Sequence, residues 1–433
     1  MDGRSDDRGS RIAGFSKMGQ AERLTRVALR TGVGPDELAQ LTNSDPLPFP
    51  AAEHMVENAL GAVGLPFGVA LNFTINGRDR LIPMAVEEPS IIAAASYAAR
   101  LARSAGGFLA DADPPCMIGQ IQLVRVPDPA AAAERLGAAA AELRAMADAV
   151  HPNMIRRGGG ARAIEVRQLP STPAGPMLIV HVVVEVGDAM GANAVNSIVE
   201  VLAPRVVELA GGEVRMCILS NLADRRLARA SVRLPFEVLA TDRLSGRTVA
   251  ERVFEGWAFA AADPYRAATH NKGVMNGIDA VAVATGNDWR GIEAGAHAYA
   301  ARAGHYGPLS SWTVDGDALV GQIELPLAVA TVGGNLEVNR RARLALQILG
   351  VRSAGELASI MAAVGLAQNF AAVRALVTDG IQRGHMALHA RGLAVAAGAR
   401  DELIPEITER LIASGEIKLA KARELVAAMG AAR

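Results

Sequence analysis

The sequence predicts an α+β fold: a large helix-rich α/β domain, an inserted ferredoxin-like domain of the split βαβ type, and a small helical C-terminal lobe. Three observations predict it. Between about 115 and 222, strand and helix patterns follow the order β-α-β-β-α-β, which is the ferredoxin-like order. After that stretch the chain returns to a Gly- and Ala-rich texture mixing helical and apolar runs. The last stretch, GHMALHARGLAVAAGA…EITERLIASGEIKLAKARELVAAMG, is helical with little strand signal. The expected division is 1–114 for the first part of the large domain, 115–222 for the insertion, 223–378 for the second part, and 379–433 for the terminal lobe. A length of 433 residues, at roughly 150 per domain, agrees with about three lobes.

The elements follow in order. Residues 11–45 carry apolar residues at helix-like spacing in AERLTRVALR and ELAQL. HMVENALGAV (54–63) reads as a further helix, leading through GLPFG into a strand, VALNFTI. Asn76-Gly77 is the pair that a two-residue hairpin turn favours, so RLIPMAV is expected to pair back. Pro89 and Ser90 then open a helix, SIIAAASYAARLARSA, with Pro near the first turn and Ser at or near the cap. Inside the insertion, IGQIQLVRV, RAIEVRQL, MLIVHVVVEV and VRMCILSN read as strands. AAAAERLGAAAAELRAMADAV and GANAVNSIVEVLAPRVVELA read as helices.

Composition excludes several classes of function. Lys and Arg number 44 against 45 Asp and Glu, a formal charge of −1, so there is no electrostatic footprint for nucleic acid or an anionic membrane. Two cysteines, Cys116 and Cys217, exclude a disulfide framework and a zinc site built mainly on thiolates. The start, MDGRSDDRGSRIAGFSKMGQ, has no apolar h-region, and no run approaches the ~18 uncharged apolar residues of a membrane helix. The expected setting is cytoplasmic, with no membrane partner.

Four stretches could carry chemistry. GDAMGANAVNSIVE (187–200) follows a buried strand; Asp188 can cap the next helix, and Ala189, Gly191 and Ala192 keep its first turn narrow. Such a helix start admits a phosphate to backbone N–H groups and the positive end of the dipole; a capped helix packed on its sheet is the plainer reading. VEEPS (86–90) sets two acids before a helix, either as dipole complements or with one of them able to donate a proton from a partly apolar pocket. DPYRAATHNKGVMNGIDAVAVATGNDWR (263–290) crowds Arg266, His270, Lys272, Asn276 and Asp288. A lysine held by a carboxylate at a core edge can stabilise an oxyanion, and Arg266 suits bidentate capture of a carboxylate. IQRGHMALHAR (381–391) places His385 and His389 one helical turn apart; Met386 stands where a metalloprotease motif needs Glu, so no metal is expected. Gly380 and Gly384 could act as hinges that bring His385 to a site on closure.

Together with ENALG (57–61), SIIAAASYAARLA, LSNLADRRLARA, GIEAGAHAYAARAGHYG and GLAQNFAAVRALVTDG, these stretches resemble 3-hydroxy-3-methylglutaryl-coenzyme A reductase, the bacterial degradative-type (class II) branch, in the family's order over about 50–400. The resemblance implies catalytic roles for Glu88, Lys272, Asp288 and His385. It implies dinucleotide binding by Asp188, Ala189, Met190, Gly191, Ala192 and Asn193, together with His151. It gives Arg266, Ser90 and Asn276 to the hydroxymethylglutaryl group, and Glu57 and Asn58 to coenzyme A. ENALG departs from the family's usual E-N-V-I-G by apolar swaps. The implied reaction interconverts mevalonate, coenzyme A and two NAD(P)⁺ with the thioester and two NAD(P)H, by two hydride transfers and without a metal. In it Lys272 stabilises the thioester oxygen, His385 protonates the departing thiolate, Glu88 donates the second proton, and Asp288 joins Lys272 and Glu88 in one network. The C-terminal lobe becomes a flap, and the subunits form a homodimer or higher multiple with each active site at an interface. The degradative-type motifs favour NAD. However, AVHPNMIRRGGG carries His151, Arg156 and Arg157 where NADH-preferring relatives can carry an acid, and these residues tolerate the 2′-phosphate of NADP. Two rivals remain: another nicotinamide-dependent acyl-coenzyme A reductase, and a non-catalytic coenzyme A or nucleotide-binding scaffold.

Overall fold

A computed structural model describes residues 9–42, 47–378 and 380–430, with backbone alone for 335, 337, 381–388 and 430. The strands Phe67–Ile75 and Arg78–Ala85 form an antiparallel hairpin with Ile75 opposite Arg78. Its turn needs two left-handed residues, and Asn76 (φ 50°) and Gly77 (φ 73°) supply them. Helix Ile91–Ser104 packs on this hairpin through Ala95, Ala98, Ala99 and Ala102, whose small side chains let the backbone come close.

A second antiparallel sheet joins the two parts of chain that flank the insertion. Its strands run in the order Leu109–Ala112, Leu227–Pro235, Ala318–Pro326, Ser310–Asp315. Against it lies helix Ala354–Val377, buried on nearly every face and shared with helix Pro264–Ala284 in one core around Phe73, Trp312 and Phe370. Although no long uncharged run was expected, Ala354–Val377 is long and apolar enough to cross a membrane by length and composition, with Glu356 and Arg374 near its two ends; most of it is buried in the fold.

The inserted sheet runs Gly160–Leu169, Met177–Glu185, Cys116–Val124, Glu213–Ser220, all antiparallel, which is the ferredoxin-like arrangement. It has its own core, in which Val180, Val182 and Val184 meet Ile198 and Leu202 of helix Ala192–Ala210. The Ala-rich stretch expected as one helix forms two, Pro129–Ala138 and Ala140–Val150, with a change of direction at Ala139 (φ −85°, ψ 4°) that lets both Leu136 and Leu143 reach this core. Beyond Gly380 (φ 77°), helices Ile381–Ala396, Ile404–Ser414 and Leu419–Gly430 gather around Ile407, Leu411 and Ala422.

The helix expected over HMVENALGAV does not form. Helix Phe49–Met55 takes in only its first two residues, His54 and Met55, and residues 56–66 are irregular, with Asn58 at φ 57° and Leu60 and Val63 almost wholly exposed. Gly61, Gly64 and Pro66 disfavour a helix, and the chain itself offers those apolar side chains nothing to pack on.

Candidate active site

Helix Pro264–Ala284 begins where the sequence chemistry requires: Asp263 accepts a hydrogen bond from Tyr265 N, and Pro264 takes the first helical position. Its Gly277 is explained by a close crossing with helix Ala354–Val377. A Cβ on Gly277 would lie 2.9 Å from the Cβ of Gln368 and 3.1 Å from the carbonyl of Val364, and one on Gly365 would lie 2.8 Å from Ile278 Cδ1. The crossing presses one face of the helix onto Ala354–Val377 and leaves Lys272 on the open side.

Lys272 Nζ donates to Glu88 Oε2 at 2.6 Å. Glu88 sits in the loop between strand Arg78–Ala85 and helix Ile91–Ser104, so hairpin and helix meet at this ion pair. Around it opens a cavity of about 580 Å³ that Ser90, Arg266, Asn276 and His270 also line. Ser90 is the N-cap residue, yet its side chain makes no cap bond; it stands at φ 78°, and its buried Oγ has no partner among the described residues. A non-glycine residue in the left-handed region costs about 1–3 kcal/mol, and such strain gathers at ligand sites. Burial alone pushes the Arg266 guanidinium below its ordinary range, and Arg266 holds no carboxylate among the described residues. A half-buried cation that faces a cavity and holds no carboxylate among the described residues fits an anionic ligand group. Two turns beyond Lys272, burial and the neighbouring Glu293 raise Asp279 to about 8, while His297 holds Glu293 low.

Asp288 lies elsewhere. It caps helix Trp289–Ala300 by accepting from Gly291 N at 3.1 Å and is exposed to solvent. Lys272 and Asp288 are sixteen residues apart, and the helix between them converts twelve of those into about 18 Å of rise. The expected network of Asp288 with Lys272 and Glu88 is therefore absent within one chain. Glu57 and Asn58 are exposed in the irregular stretch 56–66, outside the cavity lining. His385 belongs to helix Ile381–Ala396, but its side chain lies outside the described residues; His389 is exposed.

The loop 187–191 makes a narrow turn into helix Ala192–Ala210. Gly191 is the N-cap of helix Ala192–Ala210 at φ 91°, and a Cβ there would meet Val186 side-chain atoms at 2.5 Å, so glycine is required. Asp188 does not cap this helix, as its position had suggested. Its Oδ1 accepts instead from Ala354 N at 2.8 Å, and its carbonyl from Thr331 N at 2.9 Å. Arg226, 3% exposed, donates to the carbonyls of Ala189 and Val329, and burial pulls it down to about 10. Because Asp188 is turned away, the first-turn N–H groups of the helix have no side-chain acceptor and are left for a ligand. His151 is the N-cap residue of the short helix Pro152–Arg156 but makes no side-chain cap bond, and its buried Nε2 has no partner among the described residues. A dinucleotide fits these groups: free amides and a narrow turn for the pyrophosphate, an unpaired imidazole and two arginines in the segment 151–157.

His270, Gln368 and Asn369 also line the cavity. His270 was seen only as part of a crowded segment, and Gln368 and Asn369 not at all. Buried amides in an otherwise apolar helix were the available signal.

The family model described as hydroxymethylglutaryl-coenzyme A reductase matches residues 21–390. The chain is similar to the 3-hydroxy-3-methylglutaryl-coenzyme A reductase of Archaeoglobus fulgidus, with 50% identity over 418 residues covering 96% of this chain and 94% of that one. It is similar to a probable reductase of the same description from Borreliella burgdorferi, at 36% over 342 residues, covering 78% of this chain and 76% of that one. Among solved structures, a 3-hydroxy-3-methylglutaryl-coenzyme A reductase of Streptococcus pneumoniae superposes with a TM-score of 0.82 at 43% identity, covering 84% of this chain and 99% of that one. A class II reductase from the same organism, bound to NADPH in open conformations, gives 0.81 at 42%, covering 95% and 100%.

Proposed function

This chain belongs to the hydroxymethylglutaryl-coenzyme A reductase family, and from that premise we propose that it is a class II enzyme interconverting mevalonate and 3-hydroxy-3-methylglutaryl-coenzyme A with NAD(P), working in the cytoplasm in the degradative direction. The observation that carries the chemistry is the Lys272–Glu88 hydrogen bond in the same cavity as Arg266, which pairs with no carboxylate among the described residues. Arg266 takes the carboxylate of the acyl group, with Ser90 Oγ and Asn276 beside it. Lys272 stabilises the oxygen that becomes negative as the thioester carbon is reduced. A bound nicotinamide supplies or accepts the hydride, and Asp188 to Asn193 with His151 hold its dinucleotide. When the hemithioacetal collapses, coenzyme A leaves as a thiolate; a thiol has a pKa of about 8.5, so a proton from His385 helps it depart. Glu88 gives the second proton, to the aldehyde oxygen, through its bond with Lys272. Glu57 and Asn58 contact coenzyme A.

We assign Asp288 of the partner subunit to complete the network, so that the working unit is a homodimer or a higher multiple. Two features support this: Asp288 of the same chain stands at the far end of helix Pro264–Ala284, and the apolar residues Leu60 and Val63 are exposed. The decisive assay is steady-state oxidation of mevalonate with coenzyme A, run with NAD⁺ and NADP⁺ side by side; no thioester-dependent turnover with either cofactor would overturn the reading. On nicotinamide choice, NAD is the expected cofactor, with NADP also accepted because His151, Arg156 and Arg157 do not repel a 2′-phosphate. His151→Asp should lower kcat/KM for NADP⁺ by about tenfold or more through like-charge repulsion, with little change for NAD⁺. An unchanged NADP⁺/NAD⁺ ratio would remove His151 from the adenosine site.

A further inference from the structure

His270 belongs to a hydrogen-bond network whose proton positions follow from the chemistry of its members. Trp312 Nε1 can only donate, and it lies 2.9 Å from Asn369 Oδ1, so the atom facing it is the amide oxygen. Ser310 Oγ, 3.0 Å from that same oxygen, must give it its single proton. Asn369 is fixed further by its Nδ2, which donates to the carbonyl of His270 at 3.2 Å. Toward His270 Nε2, 2.7 Å away, Ser310 is left with lone pairs only, so Nε2 carries the imidazole hydrogen. Burial, and Arg266 one turn earlier, push His270 down to about 3, which keeps the ring neutral near pH 7. Nδ1 is therefore a bare acceptor. It is buried, it has no partner among the described residues, and the residue that carries it is 1% exposed while lining the cavity.

A buried acceptor fixed in this way calls for a donor. In the hydroxymethylglutaryl group the ionised carboxylate and the thioester oxygen can only accept; the tertiary hydroxyl is the one donor. We propose that His270 Nδ1 receives the hydrogen bond of that hydroxyl, which makes His270 the residue that selects 3-hydroxylated over 3-deoxy thioesters. This rests on the substrate assigned above.

The test compares kcat/KM for 3-hydroxy-3-methylglutaryl-coenzyme A and 3-methylglutaryl-coenzyme A, which lacks the hydroxyl. The unmodified protein should favour the hydroxylated thioester by about ten- to a hundredfold, because the deoxy analogue leaves Nδ1 unpaired. His270→Gln keeps an N–H for Ser310 and has no acceptor at the Nδ1 position; its ratio should fall close to one, by loss on the hydroxylated substrate. His270→Asn, whose amide oxygen stands where Nδ1 stood, should retain most of the preference. A ratio near one in the unmodified protein, which needs no variant to measure, overturns the proposal, and so does an undiminished ratio in His270→Gln. In either case turnover of the hydroxylated thioester leaves the reductase reading standing. No turnover of that thioester by the unmodified protein removes both.

Discussion

Replacing Lys272 with Ala should lower kcat by about three orders of magnitude, the loss expected when a charge that stabilises an oxyanion is removed from an active site. The same substitution should leave the fold almost untouched. The Lys272 side chain is 58% exposed and its ion pair with Glu88 reaches solvent, so the pair contributes about 0–1 kcal/mol to stability. No apolar packing depends on it, because the buried faces of helix Pro264–Ala284 are formed by residues such as Val274, Ile278 and Val281. Steady-state turnover, read beside the thermal midpoint, checks both halves: an unaltered midpoint with kcat near that of the parent would refute the oxyanion role.

Two inactive variants should restore one another. Lys272→Ala removes the ammonium, and Asp288→Asn removes the carboxylate charge while keeping an oxygen to cap helix Trp289–Ala300 at Gly291 N. If each active site takes Glu88 and Lys272 from one subunit and Asp288 from the next, a mixed dimer has one site with both defects and one site with none. Random reassembly makes half the dimers mixed, so a co-refolded equimolar mixture should recover about a quarter of the parent activity. If all these groups served one chain, every site would keep a defect and the mixture would stay inactive. Isolating the mixed dimer by two different affinity tags before the assay makes a null result decisive against the shared site.

Local chemistry could be read from the sequence where a few adjacent residues determine it. Asn76-Gly77 specified the hairpin because its turn needs two positive φ angles, and the alternation of strand and helix patterns from 115 to 222 specified the ferredoxin-like sheet. The cavity set Glu88, Ser90, Arg266, Lys272 and Asn276 was also legible: three of the five lie on one face of a single helix, within about three turns, and the other two on the loop that leads to the helix beside it. What stayed hidden depended on length or on distant partners. The segment 263–290 looked like one crowd of charges, but a straight helix separates its ends, so Asp288 departs from the rest. Asp188 sits where a cap residue belongs, yet it bonds a backbone N–H 166 residues away, a choice made by the docking of the inserted domain on helix Ala354–Val377. The stretch 56–66 has apolar residues at helical intervals but no surface in its own chain to fold against. Gln368 and Asn369 look like interruptions of a core helix until the cavity beside them is seen.

The glycine crossing between the two helices that wall the cavity has a consequence for how the molecule comes apart. At Gly277 and Gly365 the backbones are too close for either rod to slide or roll past the other, so the two must loosen as one cooperative unit. Amide hydrogen exchange should therefore report a single, slowest class of protected N–H groups across 264–284 and 354–377, whereas the inserted sheet, with a separate core, should exchange on a schedule of its own. Thermal inactivation should keep pace with the first of these openings and not with the second.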